Sequence, residues 1–254
     1  MTLRNAQQEE WKKNLIPCGI GVCVFAFVVE LLFFPPSFLR VQEVVVQSPL
    51  KHLHEMDVIR LAQVRKGTPL LTLRLQKIRD NIRRYAWVKE VNLSKRIPGR
   101  LVIDVEEEVP TALLELDELY LVNKEGVIFK KLESGDSKDF PMITGLSGEK
   151  SKTLVAHVKK MVMLIQLFED SFRSIDLSEV HQEANGEIVL FTQEPLMKVI
   201  LGKEKWEERI QKFAQFWPTI QATTHHPKVI HLEMERRLVV KQNGVSKKEV
   251  SKDG

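Results

Sequence analysis

Serine stands three residues ahead of lysine twice, in Ser48-Pro49-Leu50-Lys51 and in Ser147-Gly148-Glu149-Lys150. That spacing is the acylating pair of penicillin-binding transpeptidases, where a nearby lysine activates the serine hydroxyl. The same chemistry needs S-D-N and K-T-G elements, and neither is present; Lys152-Thr153 is followed by Leu154. Histidines offer metal chemistry. His52 and His54 cluster with Glu55, and His225 and His226 cluster with His231. A metal centre needs three or four converging ligands with support behind them. The first group precedes a helix and the second adjoins Pro227, so both read as surface loop residues. With no G-x-S-x-G, H-E-x-x-H or phosphate-binding loop string, the chain reads as non-enzymatic, with no cofactor and no metal site. The basic run Arg74, Lys77, Arg79, Arg83 and Arg84 is of a kind that meets anionic lipid headgroups. With Asp80 in the same stretch, it reads instead as a solvated face held by salt bridges.

The remaining chemistry is that of the backbone. A strand at the edge of a sheet leaves N–H and C=O groups unpaired and invites another strand. Residues 229–240 are the best candidate. Ile230, Leu232 and Met234 alternate toward a core, while Val229, His231, Glu233 and Glu235 alternate outward, with Arg236 and Arg237 close by. The composition allows such a role and excludes others. The chain has 254 residues with 43% apolar and 28% charged residues, which is globular. Its net charge of +4, from 38 basic and 34 acidic residues, is too balanced for a general nucleic-acid binder. Two cysteines, Cys18 and Cys23, exclude a disulfide scaffold and a zinc ribbon.

Both cysteines fall in an apolar run, residues 15–34, with Glu30 as its one charge. As a helix the run spans about 30 Å, the depth of a bilayer core. It lacks the polar stripe of a soluble helix and the short apolar region and small-residue site of a cleaved leader. It reads as a retained transmembrane anchor, with Glu30 near the outer headgroups. Arg4, Lys12 and Lys13 precede it and the nearest basic residues beyond are Arg40 and Lys51, so the positive-inside bias puts the amino terminus in the cytoplasm.

Residues 1–14 are then a cytoplasmic tail, and residues 15–37 the anchor and its Pro35-Pro36-Ser37 linker. Residues 40–47 are valine-rich and read as a strand. Two helices follow. Met56, Ile59, Leu61, Ala62 and Val64 form the face of one, and Leu75, Ile78, Ile82 and Tyr85 that of the other. Residues 87–96 and 101–105 alternate as strands around a Pro98-Gly99 turn. Beyond Pro110 short strands dominate: residues 112–116, 119–123, 127–130, 187–192, 196–201 and 229–241. Helices at residues 154–168 and 206–216 interrupt them. Residues 242–254 are polar with four lysines and read as a disordered tail. The expected fold is α+β: a membrane helix, a β-α-α-β-β module over residues 38–110, and a mixed β-sheet domain with two helices over residues 111–241.

The ordered motifs resemble a known family. V-x-x-V-x-V starts at Val41, G-x-x-L-L-x-L at Gly67, W-V-x-x-V at Trp87, and K-R-x-P-x-x-L-x-I-x-V-x-E-x-x-P runs from Lys95 to Pro110. Leu121-Val122-Asn123-Lys124-Glu125-Gly126-Val127-Ile128-Phe129 continues the match. Together they resemble the FtsQ/DivIB bacterial cell-division proteins, whose first extracytoplasmic module is a POTRA domain. Asn123 stands where that family has Asp, and His231 and Met234 where it often has Asp and Tyr. The resemblance implies a divisome scaffold in the inner membrane at the division site. It implies that residues 229–237 bind FtsB- and FtsL-like partners, and through them an FtsW/FtsI-like synthase complex. It implies contact with membrane lipid through the anchor and none with nucleic acid. The alternative is a POTRA-type chaperone or a transport and secretion module of the envelope. Such modules usually come in tandem ahead of a barrel, whereas one is seen here.

Overall fold

The computed structural model describes Phe25, Val29, residues 36–146, Gly148, and residues 151–223, 228–232, 238–242 and 245–250. Apart from Phe25 and Val29, both helical, the expected anchor lies outside the described residues, Glu30 included. Among the described residues no helix is long and apolar enough to cross a membrane. The chain divides into two compact units, Met1–Glu107 and Glu108–Gly254.

In the first unit, β1 (Glu43–Val46) lies parallel to β3 (Arg100–Glu107), which pairs antiparallel with β2 (Val88–Arg96). Between β1 and β2 the chain makes α1 (Glu55–Ala62) and α2 (Leu75–Ile82). This is the β-α-α-β-β order expected, with sheet order β1-β3-β2. On α2 the apolar residues Ile78 and Ile82 are buried in an otherwise charged helix, each burial being worth about 1.5–3 kcal/mol. On α1 the expected face holds in part: Ala62 is buried and Leu61 and Val64 pack against the core, but Met56 is 67% exposed and Val58, not expected on that face, is buried. The α1 sequence carries apolar residues on more than one face, and packing against Leu101 and Ile103 selects the one with Val58.

The glutamate of the long motif, Glu107, has a structural task. Its carboxylate accepts the backbone N–H groups of Lys51 (2.8 Å), His52 (3.1 Å) and Leu53 (2.8 Å). It thereby ties the loop before α1 to the end of β3. Glu107→Gln leaves one oxygen where two were used. The expected cost is about 1–3 kcal/mol, read as a lower melting transition of this unit.

The second unit is one ten-stranded sheet. Its strands are β4 (Pro110–Glu115), β5 (Leu119–Asn123), β6 (Ile128–Lys131), β7 (Met142–Thr144), β8 (Leu177–Gln182), β9 (Ile188–Thr192), β10 (Met197–Gly202), β11 (Val229–His231), β12 (Leu238–Gln242) and β13 (Val245–Val250). Two helices, α3 (Ser151–Ser171) and α4 (Trp206–Thr223), pack on it. Both are longer than expected, and α4 runs past Pro218. Each helix is the crossover between two parallel strands, α3 from β7 to β8 and α4 from β10 to β11. Parallel neighbours require such a crossover. The core gathers Val158, Ile165 and Phe168 of α3, Ile210 and Phe213 of α4, and Val180, Leu190, Val199 and Ile230 of the sheet. Phe172 bridges the helices, with ring centroids 4.7 Å from both Phe168 and Phe213.

Three features depart from expectation. β7 and β8 were not anticipated; β7 is three residues long and takes both neighbours, β4 and β8, from distant sequence. Residues 229–241 form two strands rather than one, with residues 233–237 outside the described set. The polar tail, expected to be disordered, contains β13, paired antiparallel to β12.

Asn123 also finds its reason here. Its amide donates to Glu108 Oε2 at 2.8 Å, and its Oδ1 accepts the N–H groups of Glu125 and Val127. Both side chains are buried. Asn123→Asp keeps the two accepted bonds but places a second carboxyl against Glu108. Like charges at this distance raise the pair's pKa above the unfolded value. The penalty is therefore full at neutral pH, about 2–3 kcal/mol, and disappears as pH falls below the unfolded carboxyl range near 4. Chemical denaturation of the variant at pH 7 and pH 4 checks this.

Candidate functional site

The candidate residues occupy the carboxyl-terminal end of the sheet. α4 returns the chain so that β11 runs parallel to β10, in the register Lys198↔Val229, Val199↔Ile230 and Ile200↔His231. Lys198 N–H donates to Lys228 O (2.8 Å) and Leu232 N–H to Ile200 O (2.9 Å), one at each end of β11. Ile230 and Leu232 are buried in the core, while Val229 and His231 are half-buried. The inward positions of Ile230 and Leu232 are those expected from alternation. Glu233, Met234, Glu235, Arg236 and Arg237 lie outside the described residues.

The exposed edge expected at residues 229–240 is occupied. β12 pairs antiparallel with β11, as Val229↔Lys241, Ile230↔Val240 and His231↔Val239. β13 then pairs with β12, from Leu238↔Val250 to Gln242↔Val245, with a bulge between Val240 and Gln242. The sheet therefore ends at β13 and not at β11. A signal for this was present: Asn243-Gly244, the two residues between β12 and β13, is the strongest hairpin dipeptide.

The opposite edge is β6, and its lysines are tied down. Lys130 lies 2.5 Å from Asp136 and 2.9 Å from Glu133, and Lys131 lies 2.5 Å from Glu118. Burial alone would lower the Lys130 pKa, but hydrogen bonds to Asp136 and Glu133 outweigh it and hold the ammonium above its ordinary value. The hydrogen bond to Glu118 does the same for Lys131. Charged side chains of this kind blunt a sheet edge.

The other sequence candidates do not assemble. Ser48 Oγ donates to Asp104 (2.6 Å) and accepts Val105 N–H (2.6 Å), which commits the hydroxyl to the fold. Ser147 and Lys150 lie outside the described residues. His52 stacks on Trp87 with centroids 3.6 Å apart, and His54 sits at the start of α1. His225 and His226 lie outside the described residues. Among the described residues no group of three or more His, Cys, Asp or Glu could hold a metal ion. The most chemistry-like cluster was not anticipated. Thr144 Oγ1 donates to Glu179 at 2.5 Å and lies 2.6 Å from His181 Nδ1. The hydroxyl is turned to Glu179 and Thr144 is 5% exposed, so the group cross-links β7 to β8 and does not present a nucleophile.

Comparison with known proteins follows the two units. The model described as "POTRA domain, FtsQ-type" matches residues 39–108, and "Cell division protein FtsQ/DivIB, C-terminal" matches residues 112–233. The chain belongs to the FtsQ/DivIB family. A "Cell division protein FtsQ" from Geotalea daltonii is 28% identical over 229 residues, covering 87% of this chain and 81% of that protein. One from Syntrophotalea carbinolica is 24% identical over 233 residues, covering 89% and 82%. One from Geobacter sp. (strain M21) is 29% identical over 212 residues, covering 81% and 77%. Membership makes the chain a non-enzymatic cell-division scaffold that works through protein contacts at the inner membrane, facing the periplasm. The family match ends at residue 233, ahead of β12 and β13.

Proposed function

We propose that this scaffold recruits FtsB- and FtsL-like division proteins by β-strand addition at the carboxyl-terminal end of its sheet, and through them meets an FtsW/FtsI-like synthase complex. One apolar span, residues 15–34, anchors it with the amino terminus in the cytoplasm. The observation that carries the docking reading is the composition of the last two strands. β12 is Leu-Val-Val-Lys-Gln, an apolar strand, and β13 is Val-Ser-Lys-Lys-Glu-Val, a lysine-bearing strand that follows it on the ladder. Lysine on an edge strand discourages indiscriminate pairing. β13 thus acts as a guard that a partner strand replaces on β12, with β11 and β12 (residues 229–242) as the receiving surface. Main-chain bonds then supply affinity, and side chains along residues 229–237 supply selectivity.

The test is binding of the full chain, in a mild non-ionic detergent, to FtsB- and FtsL-like ectodomains from the same organism. Saturable binding is expected. A folded chain that binds neither would remove these partners.

A further inference from the structure

The first unit carries a second surface that strand docking does not use. A concavity of about 310 Å³ lies between the loop after α1 and the start of α2. Arg65, Arg74 and Lys77 line it, with Asn81 at one side and Val64 and Ile78 among its apolar residues. No acidic side chain lines it. Among the described residues, Arg65, Arg74 and Lys77 make no ion pair or side-chain hydrogen bond. The salt bridges expected of this face do not form: Asp80 accepts from Gln76 (3.3 Å), and Arg79 donates to Val91 O (3.1 Å) and Gln76 (2.9 Å). Three cations line one concavity with no acidic side chain beside them, and an anion seated there gains charge-assisted hydrogen bonds.

The position of the concavity says which anion. The loop that forms its wall is stitched to residues 39–41. Val41 N–H donates to Thr68 O (2.8 Å), Gly67 N–H to Val41 O (2.7 Å) and Leu70 N–H to Leu39 O (2.8 Å). Leu39 follows the last residue of the apolar run, Phe34, by five residues, a reach of at most about 18 Å. A wall tethered that closely to a membrane span stands within reach of the headgroup layer, where anionic lipid attracts basic residues.

We infer that Arg65, Arg74 and Lys77 form a binding site for the phosphate of an anionic phospholipid headgroup. The source of the phosphate, though not its chemistry, rests on the anchor proposed above. Half-buried Val64 and Leu73 beside the cations suit the glycerol and first acyl carbons of a lipid rather than a bare ion.

The test uses the full chain in non-ionic detergent and follows amide hydrogen exchange of residues 63–81. Dihexanoyl-phosphatidylglycerol, kept below its micelle concentration, is titrated against dihexanoyl-phosphatidylcholine and inorganic phosphate. Saturable protection by phosphatidylglycerol is expected, at least tenfold tighter than by phosphate, with none from phosphatidylcholine. The triple variant Arg65→Gln, Arg74→Gln, Lys77→Gln changes exposed residues only and should weaken it at least tenfold, with unaltered circular dichroism. No protection, or an equal response to phosphatidylcholine, overturns the site. Phosphate binding as tightly as phosphatidylglycerol overturns the lipid assignment. In a second arm the chain sits in nanodiscs with or without phosphatidylglycerol. Protection in the first arm but not in this one leaves the site standing and refutes the anchor geometry.

Discussion

Leu232→Pro is expected to lower affinity for the FtsB-like partner by more than roughly a hundredfold, about 2.7 kcal/mol, while the first unit keeps its melting transition. The Leu232 N–H is the bond that fixes the far end of β11 to Ile200 of β10. Proline has no N–H to give, and the Ile200 carbonyl loses its partner at a cost of about 1–3 kcal/mol. The side chain is 5% exposed in the second unit's core, so shortening it adds a cavity cost of about 2–4 kcal/mol. The two effects can be separated. Leu232→Ala keeps the N–H and loses only packing. It should destabilise the second unit while leaving β11 in register and partner affinity within about tenfold. Thermal melting of both variants beside partner titration makes the comparison. Unchanged affinity in Leu232→Pro would place docking elsewhere on the chain.

What the sequence disclosed follows from how local each signal is. In α2 the apolar positions Leu75, Ile78 and Ile82 stand among polar and charged residues, so periodicity finds its face, but Tyr85, expected to extend that face, lies past the helix end and is 40% exposed. In α1, Met56, Val58, Ile59 and Leu61 cover several directions, and only the sheet beneath decides among them. β7 has three residues and pairs in parallel with both neighbours, contacts made by long crossovers that no turn signal announces. The Glu107 bonds to the loop before α1 and the Asn123 bond to Glu108 join residues apart in sequence, which motif spacing marks without explaining. β13 was locally legible through Asn243-Gly244, but its lysines gave the composition of a disordered segment. The two readings conflict because an edge strand, with one side open to water, is itself expected to be polar.

The same conflict explains why the basic concavity escaped a reading from sequence. Arg74 and Lys77 belong to one helix and look like an ordinary solvated face. Arg65 joins them only because residues 65–70 are hydrogen-bonded back to residues 39–41. The acid of the same helix, Asp80, does not line the concavity and accepts a hydrogen bond from Gln76.

Ending the chain after Gln242 is expected to raise affinity for the FtsB-like strand about tenfold, roughly 1.4 kcal/mol, and to make the free protein self-associate. β13 holds its place through the short register from Leu238↔Val250 to Gln242↔Val245. At about 1 kcal/mol net per hydrogen bond, a ladder of four register pairs does not by itself cover the cost of ordering six residues, about 1–2 kcal/mol each. A guard so weakly held is displaceable by an incoming strand that adds side-chain contacts of its own. Its removal spares the partner that displacement. It also leaves Leu238, Val239 and Val240 on an open edge, which pairs with a second copy in the partner's absence. Sedimentation of the free truncated chain and titration with the ectodomain read the two effects separately. Weaker binding would show that β13 is itself the receiving strand, and equal binding would show that this edge is not used.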